Sequence, residues 1–507
     1  MGSERTPDRK KGLETNNRVL MLVVVLLAGG AAAFFALIGA VVLLWLAVPV
    51  GNSKPEPDLA KVPRIAADPD PPAPRPHRND PPEAPKEKPR PDKDAVSEKP
   101  PDRPEKTPLV KKPVAPKLAD LLSDDVRTAW QDAGIQSGYL GPEDAILWLR
   151  AENQAQPRTN EVPAFSLFRW QPGMLAKLPE PDCPFGLDLQ GLSGATDDVL
   201  KEVARFKRLH SLNLRGQTKI TDKGLRELAG LKELRCLSLH GTQVSDAGLK
   251  HLAGFSQLEY LNLYCNMSDD GLAELAGLKQ LEALYIGNRT CGEGLKHLAG
   301  LRLKRLTVVV GLGDADVGLR ELAACPELET VEIAGGSPGD PAMKHVAKLK
   351  KLRSLNISNT RVGEAGLKEL ASLPQLEALK LPYSTTDAGL IRVGELAQLR
   401  SLHVESSEIT DAGLKHLIRL QQLQFLSLAR SKVTDAGMKD VAKLTQLRTL
   451  HLWQTQVSDD GLKELAELKE LRMLNVGGIR ITRAGAERLQ KDLPNLKFSP
   501  DLSLWRR

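Results

Sequence analysis

The stretch LSLARSKVTDAGMKDVAKLTQLRT, Leu426 to Thr449, decides the fold, because each position in it has a physical task. Leu426 and Leu428 alternate with Ser427 and Ala429, the period of a short strand with one buried face. Val433 turns the chain back inward. Thr434 is placed to cap a helix, and Asp435 sets a carboxylate at the positive end of that helix. Met438, Val441 and Leu444 then recur every three residues, as one helix face does. The pattern L-x-[LV]-x-x-[ST]-x-[IV]-[ST]-D-x-G-[LM]-K-x-[LV] fills Leu402 to Val476 in three tandem copies about 24 residues apart. A single unit has no partner for its apolar side, so neighbours must stack and share one long core.

Outward from these copies, the same strand position recurs as Leu187, Leu212, Leu237, Leu261, Leu284, Leu306, Val331, Leu355, Leu379, Leu402, Leu426, Leu450 and Leu474, spaced 22 to 25 residues apart. Leu496-Lys497-Phe498 reads as a closing half-repeat, with Trp505 beyond it. Two units are worn. Leu306 to Leu319 lacks the Thr-Asp step, and Ala334 to Pro341 reads AGGSPGDP where a helix start is due, which predicts a bulge or a change of curvature. Residues 118–184 precede the repeats as a small cap. Leu118–Ala133 and Pro142–Gln154 both read as helices, the second opening with Gly141-Pro142-Glu143-Asp144. Trp130, Trp148, Phe165, Phe168 and Trp170 concentrate there, as expected of a lid over an open solenoid end.

The N-terminal part has a different composition. Residues 1–18 form a polar tail, and Val19 to Val50 carries no charge across about 32 residues. Roughly 20 apolar residues span a bilayer, so residues 19–50 are expected to be a single transmembrane signal anchor. Five basic residues precede the span, which favours a cytoplasmic N-terminus and an extracytoplasmic remainder. Residues 51–117 hold 19 of the 35 prolines, with 15 basic and 12 acidic residues interleaved. That composition builds no core and favours a disordered, extended stalk reaching at most about 200 Å at about 3.1 Å per residue.

The [ST]-D-A-G-L-K-x-L-A helix after L-x-L-x-x-T resembles the leucine-rich repeat superfamily, and within it the ribonuclease-inhibitor-like, cysteine-containing class. F-box/LRR proteins and many bacterial membrane-anchored envelope proteins share that class. The resemblance covers residues 185–507 in about thirteen copies. It implies an α/β fold, a right-handed leucine-rich repeat solenoid or horseshoe with a parallel concave sheet and convex helices, and a binding rather than a catalytic role. The loop position held by Asn or Cys in that class is here Thr242, Asn266, Thr360, Ser384, Ser407, Ser431 and Thr455, where a small polar group would bond the neighbouring repeat's backbone. An F-box-like ubiquitin-ligase adaptor would share the repeat. Residues 118–160 lack the Leu-Pro opening of an F-box, and a membrane span precedes them.

Nothing in the chain reads as an enzyme. Asp222, Asp246, Asp387, Asp411, Asp435 and Asp459 follow capping Ser or Thr residues in different repeats, where a helix favours an acid. His251, His297, His345 and His416 share one helix slot by duplication and form no metal pair within a helix. There is no phosphate loop, no GxSxG and no HExxH, so neither a metal nor a small-molecule cofactor is expected. Cys183, Cys236, Cys265, Cys291 and Cys325 are scattered without a CxxC, against a disulfide framework or a zinc site. Of the net charge of +6, about +2 sits in the tail and +3 in the linker, leaving the folded part near neutral. Nucleic acid is therefore not the expected partner.

The informative surface is the concave sheet. Tyr260, Tyr264 and Tyr285 are expected to form one exposed patch there, and Phe425 and Trp453 another. His240, Asn262, His403 and His451 flank them, the composition of a binding surface. The expected function is binding of a protein or other macromolecule outside the cytoplasm. The competing expectation is a passive envelope scaffold without a defined ligand. The strand register carries its own test by urea melting. Leu428→Ala should cost about 2–5 kcal/mol, Ser427→Ala should cost less than about 0.5 kcal/mol, and equal losses would mean a register off by one.

Overall fold

In the computed structural model of the chain, Leu426 pairs in register with Leu402 on one side and Leu450 on the other. The structure describes residues 121–499 apart from 144–145, 152–160, 288–292, 311–314, 337 and 407. The expected tail, membrane span and linker at 1–117 lie outside those residues, as do Cys291, Ser407 and Trp505. No helix among the described residues is long and apolar enough to cross a membrane.

Every expected column residue from Leu187 to Leu474 falls on one ladder, strand by strand in chain order. Phe498 closes it against Leu474. The strands run parallel from β4 (Phe185–Asp188) to β17 (Lys497–Ser499), and short α- or 3₁₀-helical turns form the opposite layer. Each repeat contributes the same set to the core between the layers. In the quoted unit Leu426, Leu428, Val433, Met438, Val441, Leu444 and Leu447 are all buried, and each such side chain contributes about 1.5–3 kcal/mol by leaving water. Leu428 is buried as its register requires. Ser427 is buried too, contrary to its expected open concave position, and its hydroxyl has no hydrogen-bond partner. The small expected cost of Ser427→Ala therefore rests on an unsatisfied group rather than on exposure.

The worn units leave the marks expected of them. Strands β9 (Arg305–Val310), β10 (Thr330–Gly335) and β11 (Ser354–Asn359) are six residues each, longer than β12 (Ala378–Lys380) and the three-residue strands after it. The pairing of β10 with β11 shifts register between Glu332 and Ala334.

The helix starts differ from the sequence reading in one respect. Thr434 caps its helix as expected, its hydroxyl accepting from the Ala436 amide at 3.3 Å. The Asp435 carboxylate stands in the first turn of its own helix as expected, but its hydrogen bonds go elsewhere. It crosses to the next repeat and accepts from the Ser458 amide and the Ser458 hydroxyl, both at 2.7 Å. Asp197, Asp222, Asp246, Asp387, Asp411 and Asp459 do the same for Thr221, Ser245, Ser268, Thr410, Thr434 and Thr482. The motif glycine makes room for this. A Cβ on Gly248 would stand 2.2 Å from Asp222 Oδ1, with Asp222 Cγ and Cβ its next neighbours.

The small polar loop residues also bond elsewhere than expected. Thr242, Thr360, Ser431 and Thr455 donate at 2.7 Å to a carbonyl three residues back in their own repeat. Thr385, not the exposed Ser384, fills that place in its unit, and Cys265 rather than Asn266 is buried in the shortened one.

The N-terminal cap holds the first of the two expected helices, and strands where the second was expected. Its α-helix α1 (Asp124–Asp132) sends Trp130 into the end of the core, stacked on Phe165 at 4.1 Å and packed against Phe185 and Phe206. The Pro142–Gln154 segment instead supplies the end of β1 (Gln136–Glu143) and β2 (Ile146–Ala151), an antiparallel pair. β3 (Val162–Ser166) pairs with β1 and runs parallel to β4, setting Phe165 against Leu187 as a further rung of the column. The Gly-Pro-Glu-Asp signal is overridden because the run Ile146–Leu149 suits a strand as well as a helix. Burial of Leu140 and Leu147 and the Arg150–Glu161 ion pair, at 2.7 and 2.8 Å, favour the strand.

The carboxylate ladder predicts a coupled pair. Asp222→Ala should cost about 1–3 kcal/mol by leaving Ser245 unpaired, and Gly248→Ala about 1–3 kcal/mol by overpacking. In the Asp222→Ala background the Gly248→Ala step should cost almost nothing. A double-mutant cycle from urea melts checks this, and strictly additive losses would refute it.

Candidate functional site on the concave sheet

The strand residues between the core leucines face the open side of the sheet, and the structure divides that side in two. Over β5 (Leu209–Asn213), β6 (Cys236–Ser238), β7 (Tyr260–Leu263) and β8 (Ala283–Gly287) it is covered by the chain itself. Leu140, Leu147 and Ala164 of the cap form a second apolar cluster with Cys236, Tyr260, Ala283 and Tyr285. Asn213 donates through Nδ2 to the Leu147 carbonyl at 3.2 Å, tying the hairpin to β5.

The expected tyrosine patch is corrected by this cover. Tyr260 and Tyr285 are 1% and 6% exposed, with rings 5.1 Å apart, and fill the space under the hairpin. Burial drives the Tyr260 hydroxyl far above its usual range. Asn262 is buried as well, and its Oδ1 accepts from the Tyr264 amide at 3.1 Å. Asn213, Asn356 and Asn475 make the same turn at their strand ends, so this is a device of the fold. Tyr264 and His240 are half-buried at the strand ends and stack on each other at 4.8 Å.

In the second expected group it is Phe425 and the flanking histidines that meet. Phe425 in β14 (Phe425–Ser427) stacks on His403 of β13 (Ser401–His403) at 4.4 Å and meets His451 of β15 (Thr449–His451) edge-on at 5.0 Å. Burial lowers the pKa of both imidazoles from the ordinary value, and Lys380 adds to the effect at His403. Trp453 follows at the end of β15, under the Arg430 guanidinium at 4.8 Å. Arg430 and Gln454 hold φ of 62° and 55°, the left-handed conformation that Gly216, Gly241 and Gly478 adopt at the matching turn of other repeats. A side chain there costs about 1 kcal/mol or more against glycine. Met473 at the start of β16 (Met473–Asn475) is 36% exposed, two strands from Phe425 with Thr449 between them. Towards the middle of the sheet a shallow trough of about 350 Å³ is lined by Arg305, Thr330, Glu332, Asn356, Lys380 and His403.

Charged residues just before the strands were not singled out from the sequence. Arg235–Glu259, Glu282–Lys304 and Arg353–Glu377 pair along this row. Further on the row reads Arg400, Gln424, Arg448, Arg472, and among the described residues only Arg472 meets an acid, Glu470 at 3.5 Å. The signal was available as the residue after each Leu-x-x-Leu spacing, but its pairing is visible only across repeats.

The chemistry of the rest is structural. The ladder aspartates are occupied as hydrogen-bond acceptors. Among the described residues no three His, Cys, Asp or Glu side chains converge as metal ligands. Burial pushes the Cys236 and Cys265 thiols up to about 12 and Cys325 up to about 11, so they are not thiolates near neutral pH.

A leucine-rich repeat region model matches residues 315–497. No curated protein matches the chain. Among solved structures, an internalin of Listeria monocytogenes is 19% identical, with 60% of this chain and 88% of that one covered and a TM-score of 0.41. A leucine-rich repeat protein of Leptospira interrogans is also 19% identical, with coverage of 62% and 95% and a TM-score of 0.31. TLR13 in complex with ssRNA13 is 18% identical, with coverage of 64% and 49% and a TM-score of 0.42. The matched region is a leucine-rich repeat region, and the column of strand residues that runs through it continues unbroken back to Leu187.

Proposed function

We propose that this chain is a membrane-tethered binding protein whose repeats take a protein partner through the concave sheet outside the cytoplasm. The repeats are assigned to the ribonuclease-inhibitor-like class on their T-D-x-G helix start. The observation that carries the binding role is the His403–Phe425–His451 stack with Trp453 beside it, aromatic area held half-exposed on a rigid sheet. Rigid rings of this kind lose little conformational entropy on contact and dominate interface energetics. The apolar segment 19–50 supplies the tether and the proline-rich 51–117 the stalk. A passive scaffold needs neither the aromatic group nor its uncovered position.

Photo-cross-linking tests the surface. p-Benzoylphenylalanine at position 425 of the full chain should trap a discrete partner in cells that make the protein, and the same group at Lys439 on the convex helix should trap none. Trapping from 439 alone would move the working face to the helices. Topology is tested separately by protease added to intact cells or spheroplasts. It should degrade the repeats and spare the N-terminal tail, and the reverse result would overturn the orientation.

A further inference from the structure

The free part of the concave sheet has a charge asymmetry that narrows the partner's chemistry. Through the first and middle repeats, residues just before the strands pair with their neighbours as Arg235–Glu259, Glu282–Lys304 and Arg353–Glu377, and Glu329 adds a further acid to the row. From β13 onward the pattern stops. Arg400 and Arg448 are exposed and have no ion pair among the described residues, although the repeat would allow a glutamate at the intervening Gln424. They lie two strands apart, about 9.6 Å at ~4.8 Å per strand, roughly three residues of an extended chain. Phe425 and Met473 begin β14 and β16 directly beside this row, with Thr449 of β15 between them and Trp453 at the other ends of the strands. Lys380 and Arg430 add positive charge around it, Glu405 is the acid that faces the same rings, and the lowered pKa values of His403 and His451 keep the imidazoles neutral near neutral pH.

We infer that β13 to β16 form a docking surface for an acidic peptide segment of a protein partner. Carboxylates of the segment would pair with Arg400 and Arg448, and its aromatic or aliphatic side chains would rest against Phe425 and Met473 beside them. This rests on the reading of the concave sheet as the binding face. A single-stranded nucleic acid fits less well, because bases need free ring faces. Here one face of Phe425 is occupied by His403, and Arg430 lies over Trp453. The tract is also too short and too interrupted, by Glu405 and Glu470, to track a phosphate backbone.

The test titrates the purified full chain with three labelled probes, a random copolymer of glutamate and tyrosine, one of lysine and tyrosine, and an oligouridylate. The glutamate–tyrosine copolymer should bind best, and its affinity should fall with added salt. Arg400→Glu with Arg448→Glu should weaken that binding about tenfold or more. Arg400→Gln with Arg448→Gln should weaken it less, and both variants should melt as the parent does. Lys415→Glu with Lys439→Glu, on the convex helices, should change it less than about twofold. Unchanged binding in the Arg400/Arg448 variants, or preference for the lysine copolymer or the oligouridylate, would overturn the acidic-peptide inference. The cross-link from position 425 separates that failure from failure of the binding face. If it persists and maps to a partner segment without acidic residues, the face stands and only the assigned chemistry falls.

Discussion

The repeats are held in line by a carboxylate that each unit lends to the next. Asp222, Asp411 and Asp435 have no ion pair among the described residues. Each accepts two hydrogen bonds from the amide and hydroxyl of the following repeat's capping Ser or Thr. The same hydroxyl caps its own helix in several repeats, so one group links the start of a helix to the position of its neighbour. Hydrophobic burial drives the stacking, but leucine on leucine is non-directional and tolerates sliding. The charged, bidentate contact does not, and it sets the spacing at which the leucine column falls into register.

That contact also explains a residue that otherwise reads as helix-weakening. Glycine two positions after the aspartate costs helix stability, yet a methyl group there would overlap the preceding repeat's carboxylate. Where the ladder weakens, the solenoid changes with it. Gly339 and Gly363 stand in the capping position and offer only an amide to Asp316 and Asp340. Glu364, one methylene longer, turns away to Arg392, and Gly389 in the next unit no longer meets a carboxylate. The same middle units carry the long strands and the register shift of β10 against β11.

The cap has two physical roles on one short segment. Trp130 and Phe165 close the end of the core, removing apolar surface that no preceding repeat is present to cover. The β1–β2 hairpin then lies across β5 to β8, and the tyrosines there serve its packing. What it leaves uncovered is the C-terminal part of the sheet, where the aromatic stack and the unpaired arginines fall together. Position relative to the hairpin, rather than composition, separates the packed aromatic group from the available one.

The sequence by itself determined the repeat, its period, the strand register and the alternation of core and surface. Those depend on spacing within one unit, and Leu187 to Leu474 lie on the ladder the spacing demands. It also singled out Phe425 and Trp453 with His403 and His451 flanking them, because strand residues of adjacent repeats lie side by side, and the structure brings Phe425 against both histidines. Only the tertiary structure decided what depends on contacts between units or across long separations. The partner of each aspartate lies about one repeat away, and nothing within a single unit distinguishes a helix-end acid from an inter-repeat acceptor. The burial of Tyr260 and Tyr285 is set by Leu140 and Leu147, more than a hundred residues earlier. Their own strand pattern marks them as facing outward, which they do, and only the hairpin folded over them decides that outward here means buried.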